Sequence, residues 1–216
     1  MTRIPSDACV FWDVDTQVDF IHPNGKLHVA GAETIVGNLA ALTDFAHANG
    51  IRIVGSSDSH APTDDELSET PDFADTYPPH CLAGTPGQQR IPETALRDVL
   101  VVEPDDATAD VLERLPGHAG DILFHKRYFD VFTNPNVGPV VQALAVDEVV
   151  LYGVALDVCN RYAVEGLLER YPGLPITLVT DAVRAINEDR RGELLADWQR
   201  RGVRLARTVE IIAKPR

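Results

Sequence analysis

The sequence predicts an α/β protein built on an open, mostly parallel sheet with helices on both faces. Three observations predict it. Short apolar runs rich in β-branched residues recur along the chain, as expected of strands buried on both sides. Segments with apolar residues at helical spacing separate them, giving the strand–helix–strand alternation of a parallel sheet. Polar residues of chemical interest fall just past the ends of these runs, the edge where open α/β sheets bind ligands.

The first run is Ala8-Cys9-Val10-Phe11-Trp12-Asp13-Val14, a buried strand ending in acid. From about Glu33 to Asn49, residues Ile35, Leu39, Leu42, Phe45 and Ala46 share one helical face, and Asn49-Gly50 is a stop signal. Ile51 to Ser56 is the next strand. From Ser57 to Pro92 no period emerges, and Pro, Gly, Asp, Ser and Thr dominate. A connection of that length inside a compact protein is usually functional. Regularity returns with a short strand at Leu100-Val101-Val102, a helix from Ala107 to Leu115, and a strand from Asp121 to His125. Glu148 to Val154 is a further strand, and Asp157 is placed to cap a helix reaching about Arg170. Ile176 to Thr180 is a strand ending at Asp181. Asn187 is placed to cap a helix with Leu194, Leu195 and Trp198 inward, ending at Gly202. The tail Val209-Glu210-Ile211-Ile212 is expected as an edge strand.

At 216 residues, with no linker, repeat or low-complexity tract, the chain is expected to form one domain over residues 1–216. No apolar run is long enough to span a bilayer, and the first seven residues lack the apolar core of a secretion signal. Three widely spaced cysteines, Cys9, Cys81 and Cys159, fit a reducing compartment better than a disulfide framework. Both points lead to a cytoplasmic expectation. The net charge of −14 is spread along the chain, which argues against nucleic acid as a partner and reads as a solvated acidic surface.

Cys159 falls where the Glu148–Val154 strand turns into a helix. A thiol there faces unpaired backbone N–H groups that can stabilise a thiolate or an oxyanion. Alone, such a cysteine is more often a small buried hydrophobe. Two segments supply possible partners. Asp15-Thr16-Gln17-Val18-Asp19-Phe20 offers a carboxylate, with Asp19 better suited to holding its loop, and Lys126 follows the Asp121–His125 strand with a cation. Asp58-Ser59-His60 with His80 makes a possible metal set for zinc, iron or manganese. Glu66 or Glu69 could add a ligand, and the spacing does not choose between them. Gly84-Thr85-Pro86-Gly87 lacks the Lys and the helix of a phosphate loop and reads as a turn.

Five motifs in this order resemble the isochorismatase-like cysteine hydrolases, and within them the nicotinamidase/pyrazinamidase branch. They are Asp15 to Phe20, Ser57 to His60, Tyr77 to Gly87, His125-Lys126 and Gly153 to Cys159. The resemblance runs from about Val10 to Asp181 and implies the three-layer, Rossmann-like fold of that family. It implies a triad of Asp15, Lys126 and Cys159, and a divalent metal, zinc first, on Asp58, His60 and His80 with Glu66 as the match for a further ligand. It implies a cis peptide at Val154–Ala155, oxyanion donors at the N–H groups of Ala155 and Cys159, and aromatic pocket walls at Phe20 and Tyr77. The implied reaction is hydrolysis of a small carboxamide, nicotinamide foremost, through a cysteine thioester, with the metal positioning the ring. A homo-oligomer is implied by analogy. Leu156 stands where the family commonly has threonine and Tyr77 where nicotinamidases often have tryptophan, which bears on the substrate. The competing expectations are hydrolysis of another small amide or ureido compound, attack by a metal-bound hydroxide with Cys159 incidental, a ligand-binding module without turnover, and isochorismate hydrolysis.

Overall fold

The computed structural model describes residues 8–213. The first seven residues, on which the secretion-signal reading rests, lie outside the described residues. Seven strands form one sheet: β1 (Cys9–Val14), β2 (Arg52–Asp58), β3 (Leu100–Val102), β4 (Ile122–Lys126), β5 (Glu148–Val154), β6 (Ile176–Arg184) and β7 (Arg204–Ala206). Their order is β3-β4-β2-β1-β5-β6-β7, and every pairing is parallel. The helices are α1 (Val18–Ile21), α2 (Val36–Ala48), α3 (Thr108–Arg114), α4 (Val137–Ala143), α5 (Cys159–Arg170), α6 (Arg191–Arg200) and α7 (Thr208–Ile212). Among the described residues no helix is long and apolar enough to cross a membrane.

Alternation along β1 divides the interior into two cores. Val10, Trp12 and Val14 face one side, where Val111, Val140, Val141, Leu167 and Trp198 cover them. Cys9 and Phe11 face the other, against Leu39, Leu42, Ala46 and Ile211. Because both faces are covered, all six residues of β1 are buried, and this explains why the run reads as continuously apolar. The chain steps from β1 to β2 on one side, and later to β5 on the other. β1 therefore sits at the point where the strand order reverses, where such sheets open a ligand crevice.

Several elements differ from expectation, each for a local reason. β2 and β4 run further than expected, so Asp58 and Lys126 are the last residues of their strands rather than lying just past them. The first helix begins as a 3-10 turn at Ala32–Ile35 before α2. β6 continues through Asp181 to Arg184, with an irregular register opposite β5 at Leu151/Gly153. Asp157 does not cap α5; its carboxylate accepts from the N–H groups of Ile186 (2.8 Å) and Asn187 (2.9 Å) and ties down the turn after β6. Asn187 caps a 3-10 turn at Glu188–Arg190, and α6 follows from Arg191. The tail is a helix, α7, not an edge strand. Asp181 accepts from both the N–H and the hydroxyl of Thr208 (2.7 and 2.8 Å), and Glu210 reaches back to the Arg207 N–H at 2.7 Å. These caps override the β-propensity of Val209, Ile211 and Ile212. β7 takes the edge instead.

Candidate active site

β1 ends at Val14, and Asp15 turns away with a left-handed φ of 48°. Its N–H donates to the Ser56 carbonyl at 3.2 Å, and the Ser56 hydroxyl donates to Asp15 Oδ1 at 2.7 Å. Gly153, the next-to-last residue of β5, has a φ of 118°; a Cβ there would lie 2.0 Å from the Val14 carbonyl, so only glycine lets β5 pass β1. The Val154–Ala155 peptide is cis. The Ala155 carbonyl accepts from the N–H groups of Val158 (3.1 Å) and Asn160 (3.0 Å), and the Asn160 side chain donates to the Gly153 carbonyl at 2.9 Å. This tight turn delivers Cys159 as the first residue of α5.

Four strand ends thus bring Asp15, Asp58, Lys126 and Cys159 together. The buried Lys126 Nζ lies 3.0 Å from Asp15 Oδ2, forms a short ion pair with Asp58 Oδ1, and sits 3.7 Å from Cys159 Sγ. Two carboxylates hold its charge, so its ammonium keeps its proton well beyond the usual range in spite of burial. Burial raises the Asp15 carboxyl and outweighs the opposing pull of Lys126; the charge on Asp58 adds to the rise. Burial also pushes Asp58 up, but Lys126, His80 and His60 overcome it and hold that carboxyl below its usual range. Burial pushes the Cys159 thiol well up, and Lys126 only partly offsets this. The resting sulfur is therefore a thiol beside a basic carboxylate. The start of α5 does not make it a standing thiolate.

The second cluster is contiguous with the first through Asp58. Asp58, His60, Glu66 and His80 are all buried, and one donor atom from each lies within 4.8 Å of the others. His80 Nε2 is 3.7 Å from Asp58 Oδ2 and 3.8 Å from Glu66 Oε1; His60 Nε2 is 3.9 and 4.0 Å from the same two atoms. The other ring nitrogens are engaged outward: His80 Nδ1 at 2.8 Å from the Pro78 carbonyl, His60 Nδ1 at 3.3 Å from Asp64 Oδ2. That arrangement turns both Nε2 atoms inward. His60 Nε2 and Glu66 Oε2 are buried without a hydrogen-bond partner. Two nitrogen and two oxygen donors converging on buried, unsatisfied atoms fit a divalent transition metal. Burial, reinforced by Asp58, raises Glu66 to about 7. Glu69 is exposed and outside the cluster. Gln17 fixes the Asp58 backbone, accepting from its N–H at 2.7 Å and donating to its carbonyl at 2.9 Å.

Asp58, Glu66, His80 and Cys159 line one small cavity whose other walls are apolar. Phe20 packs on His80 with ring centroids 5.4 Å apart, and Tyr77 meets Phe129 edge-on at 5.5 Å. Leu27, Val29, Val154, Ala155, Val158 and Ile186 complete the lining. Asp19 stands behind the site and accepts from the N–H groups of Lys26 (3.0 Å) and Cys81 (2.8 Å), a loop-holding role. Cys81 is fully buried away from the cavity lining.

The isochorismatase domain profile matches residues 7–210. The chain belongs to the isochorismatase family. It is 28% identical over 205 residues to the nicotinamidase/pyrazinamidase of Mycobacterium tuberculosis, spanning 89% of this chain and 95% of that protein. Its fold matches the pyrazinamidase of Pyrococcus horikoshii in complex with zinc (TM-score 0.71, 21% identity, 93% of this chain and 99% of that one). It also matches the N-carbamoylsarcosine amidase of Thermoplasma acidophilum (TM-score 0.69, 24% identity, 93% and 96%). These two likenesses establish the fold. The walls at Leu27, Val29, Phe129 and Ile186 lie outside the five motifs. Phe129 had a signal, three residues beyond Lys126. Leu27, Val29 and Ile186 had none, because they come from turns without period.

Proposed function

We propose that this isochorismatase-family protein is an amidohydrolase that cleaves a small neutral heteroaromatic carboxamide, nicotinamide foremost, to the acid and ammonia. The observation that carries the reading is the placement of Lys126 Nζ, 3.0 Å from Asp15 and 3.7 Å from Cys159, behind the Cys159 and Asp58 side chains that line an aromatic-walled cavity. Asp15, made more basic by burial, takes the Cys159 proton as the sulfur attacks the amide carbon. Lys126 stays charged and keeps Asp15 and Asp58 compatible in one buried space. Negative charge developing on the amide oxygen falls to the backbone N–H groups of Ala155 and Cys159 at the start of α5. Asp15 returns its proton to the departing ammonia, leaving a thioester on Cys159. Asp15 then takes a proton from water, which attacks the thioester and releases the carboxylic acid and the thiol.

Asp58, His60, His80 and Glu66 would hold the divalent metal, with zinc first in order. When bound, it supplies a Lewis-acid anchor for a ring nitrogen and so orients the amide. Phe20, Tyr77 and Phe129 flank the ring. The family relationship and the nicotinamidase/pyrazinamidase relative support this choice of substrate class. The test is an ammonia-release screen over nicotinamide, pyrazinamide, aliphatic amides and ureido compounds, with metal analysis of the same sample. Turnover of ureido compounds alone, in protein lacking metal, would overturn the substrate assignment. Full activity after alkylation of Cys159 would overturn the thiol mechanism in favour of metal-directed hydrolysis.

A further inference from the structure

Beneath the base lies a second buried charge pair that the reaction does not consume. Asp13 on β1 is fully buried and forms a short ion pair with Arg90, which reaches in from the loop before β3. Burial pushes the Asp13 carboxyl up against the pull of Arg90. Removing such a pair from water costs several kcal/mol, so it makes weak sense as a stabiliser alone.

The guanidinium does more than neutralise Asp13. Its Nη2 donates to Thr16 Oγ1 at 2.7 Å, its Nη1 to the Ser56 carbonyl at 3.2 Å, and its Nε to the Thr94 carbonyl at 3.2 Å. The Ser56 carbonyl is the same atom that accepts the Asp15 N–H. Thr16 is the next residue after Asp15, and its hydroxyl also meets Thr94 Oγ1 at 2.7 Å. The Ile91 N–H closes the group on the Thr16 carbonyl at 3.0 Å. Gly55 makes room for this: a Cβ there would stand 3.1 Å from Arg90 Nη1.

We propose that Arg90, anchored by Asp13, is a positioning residue that fixes the left-handed Asp15 turn and so aims the base at Cys159. This rests on the reading of Asp15 as base. Arg90 acts through Ser56, which meets Asp15 in space, and Thr16, which follows it in sequence, and none of the hydrogen-bond or ion-pair partners named for Arg90 lines the cavity.

The test compares Arg90→Met, Arg90→Lys, the apolar double variant Asp13→Leu/Arg90→Met, and Thr16→Val. For each, kcat, KM, metal content and thermal midpoint are measured with nicotinamide as substrate. Arg90→Met is expected to lose about 100-fold in kcat, as a displaced catalytic group does, with KM and metal content unchanged. Arg90→Lys is expected to fall between it and the parent. The double variant is expected to recover thermal midpoint without recovering kcat, a split that a purely structural pair would not produce. A folded double variant with kcat within about threefold of the parent would overturn the proposal. If neither Met-containing variant folds, Thr16→Val decides, because it removes only the gripped hydroxyl; unchanged kcat there overturns the proposal equally. Should the parent hydrolyse no amide, the functional reading fails by itself. The positioning claim is then read from Cys159 alkylation by iodoacetamide, which should slow in the same order across the variants; equal rates would overturn it.

Discussion

Replacing Lys126 with methionine is the perturbation that reaches furthest into this site. The side chain is buried, and its ammonium serves two carboxylates and one thiol. At an effective dielectric of about 20, the 3.0 Å contact with Asp15 alone corresponds to about 5.5 kcal/mol of Coulomb attraction before desolvation. Met fills much of the volume but leaves the Asp15 and Asp58 carboxylates without the cation they share. Breaking a buried pair in this way costs about 3–5 kcal/mol. For a protein of this size that is a fall in thermal midpoint of about 6–20 °C. Proton uptake by Asp15 limits the fall. Burial already raises that carboxyl, and Lys126 is the main group holding it down. Without the cation the folded pKa of Asp15 rises further, so a larger share of this carboxyl is protonated at any given pH. The rate should drop by about 10²–10⁴, and the acidic limb of the pH–rate profile should move to higher pH. Thermal unfolding and ammonia release across pH read both effects. A folded Lys126→Met protein with the parent's midpoint and a rate within about tenfold would refute the assignment of Lys126 as the shared counter-charge.

Three further outcomes follow from the same geometry. Asp58→Ala or His60→Ala should lose metal and weaken substrate binding while Cys159 stays alkylatable; a full metal complement in either variant would contradict the donor set, as read by elemental analysis. Glu66 sits near 7 and His80 is held above its ordinary value, chiefly by Asp58 against burial, so both must shed protons to ligate. Metal affinity should therefore be greatest above about pH 7 and fall as the pH drops through it, whereas Glu66→Gln should weaken binding at every pH and Glu69→Gln should leave it unchanged, as measured by competition with a chelating dye. Phe129→Ala removes the ring that meets Tyr77 at 5.5 Å and should raise KM about 3–10-fold with little change in kcat, in line with the worth of an aromatic pair; a matching loss in kcat alone would show that the ring does not act in binding.

The residues that ended strands were legible because two-sided burial makes a strand read as an apolar run, and the run's end marks the ligand edge. Asp15, Asp58, Lys126 and Cys159 were found in that way, and all four meet in the structure. The metal set was half legible. The spacing of Asp58 and His60 suggested it, but only the fold separates buried Glu66 from exposed Glu69. The C-terminal helix was misread because Val209, Ile211 and Ile212 carry a β signal locally, and the caps from Asp181 and Glu210 come from tertiary contact and chain reversal. Asp157 was misread as a helix cap because Asp at a helix start usually is one, whereas here a turn 29 residues on captures its carboxylate. Arg90 left no trace at all, since its partner Asp13 lies inside an apolar run and 77 positions away.

The most direct test is to trap the intermediate. Acid quench during turnover of nicotinamide, followed by peptide mass spectrometry, should find the pyridinecarbonyl group on Cys159 and nowhere else, and Cys159→Ala should keep its fold and metal yet release no ammonia. Steady ammonia release by Cys159→Ala, or turnover of the parent with the Cys159 peptide always unmodified, would contradict the thiol chemistry at its root.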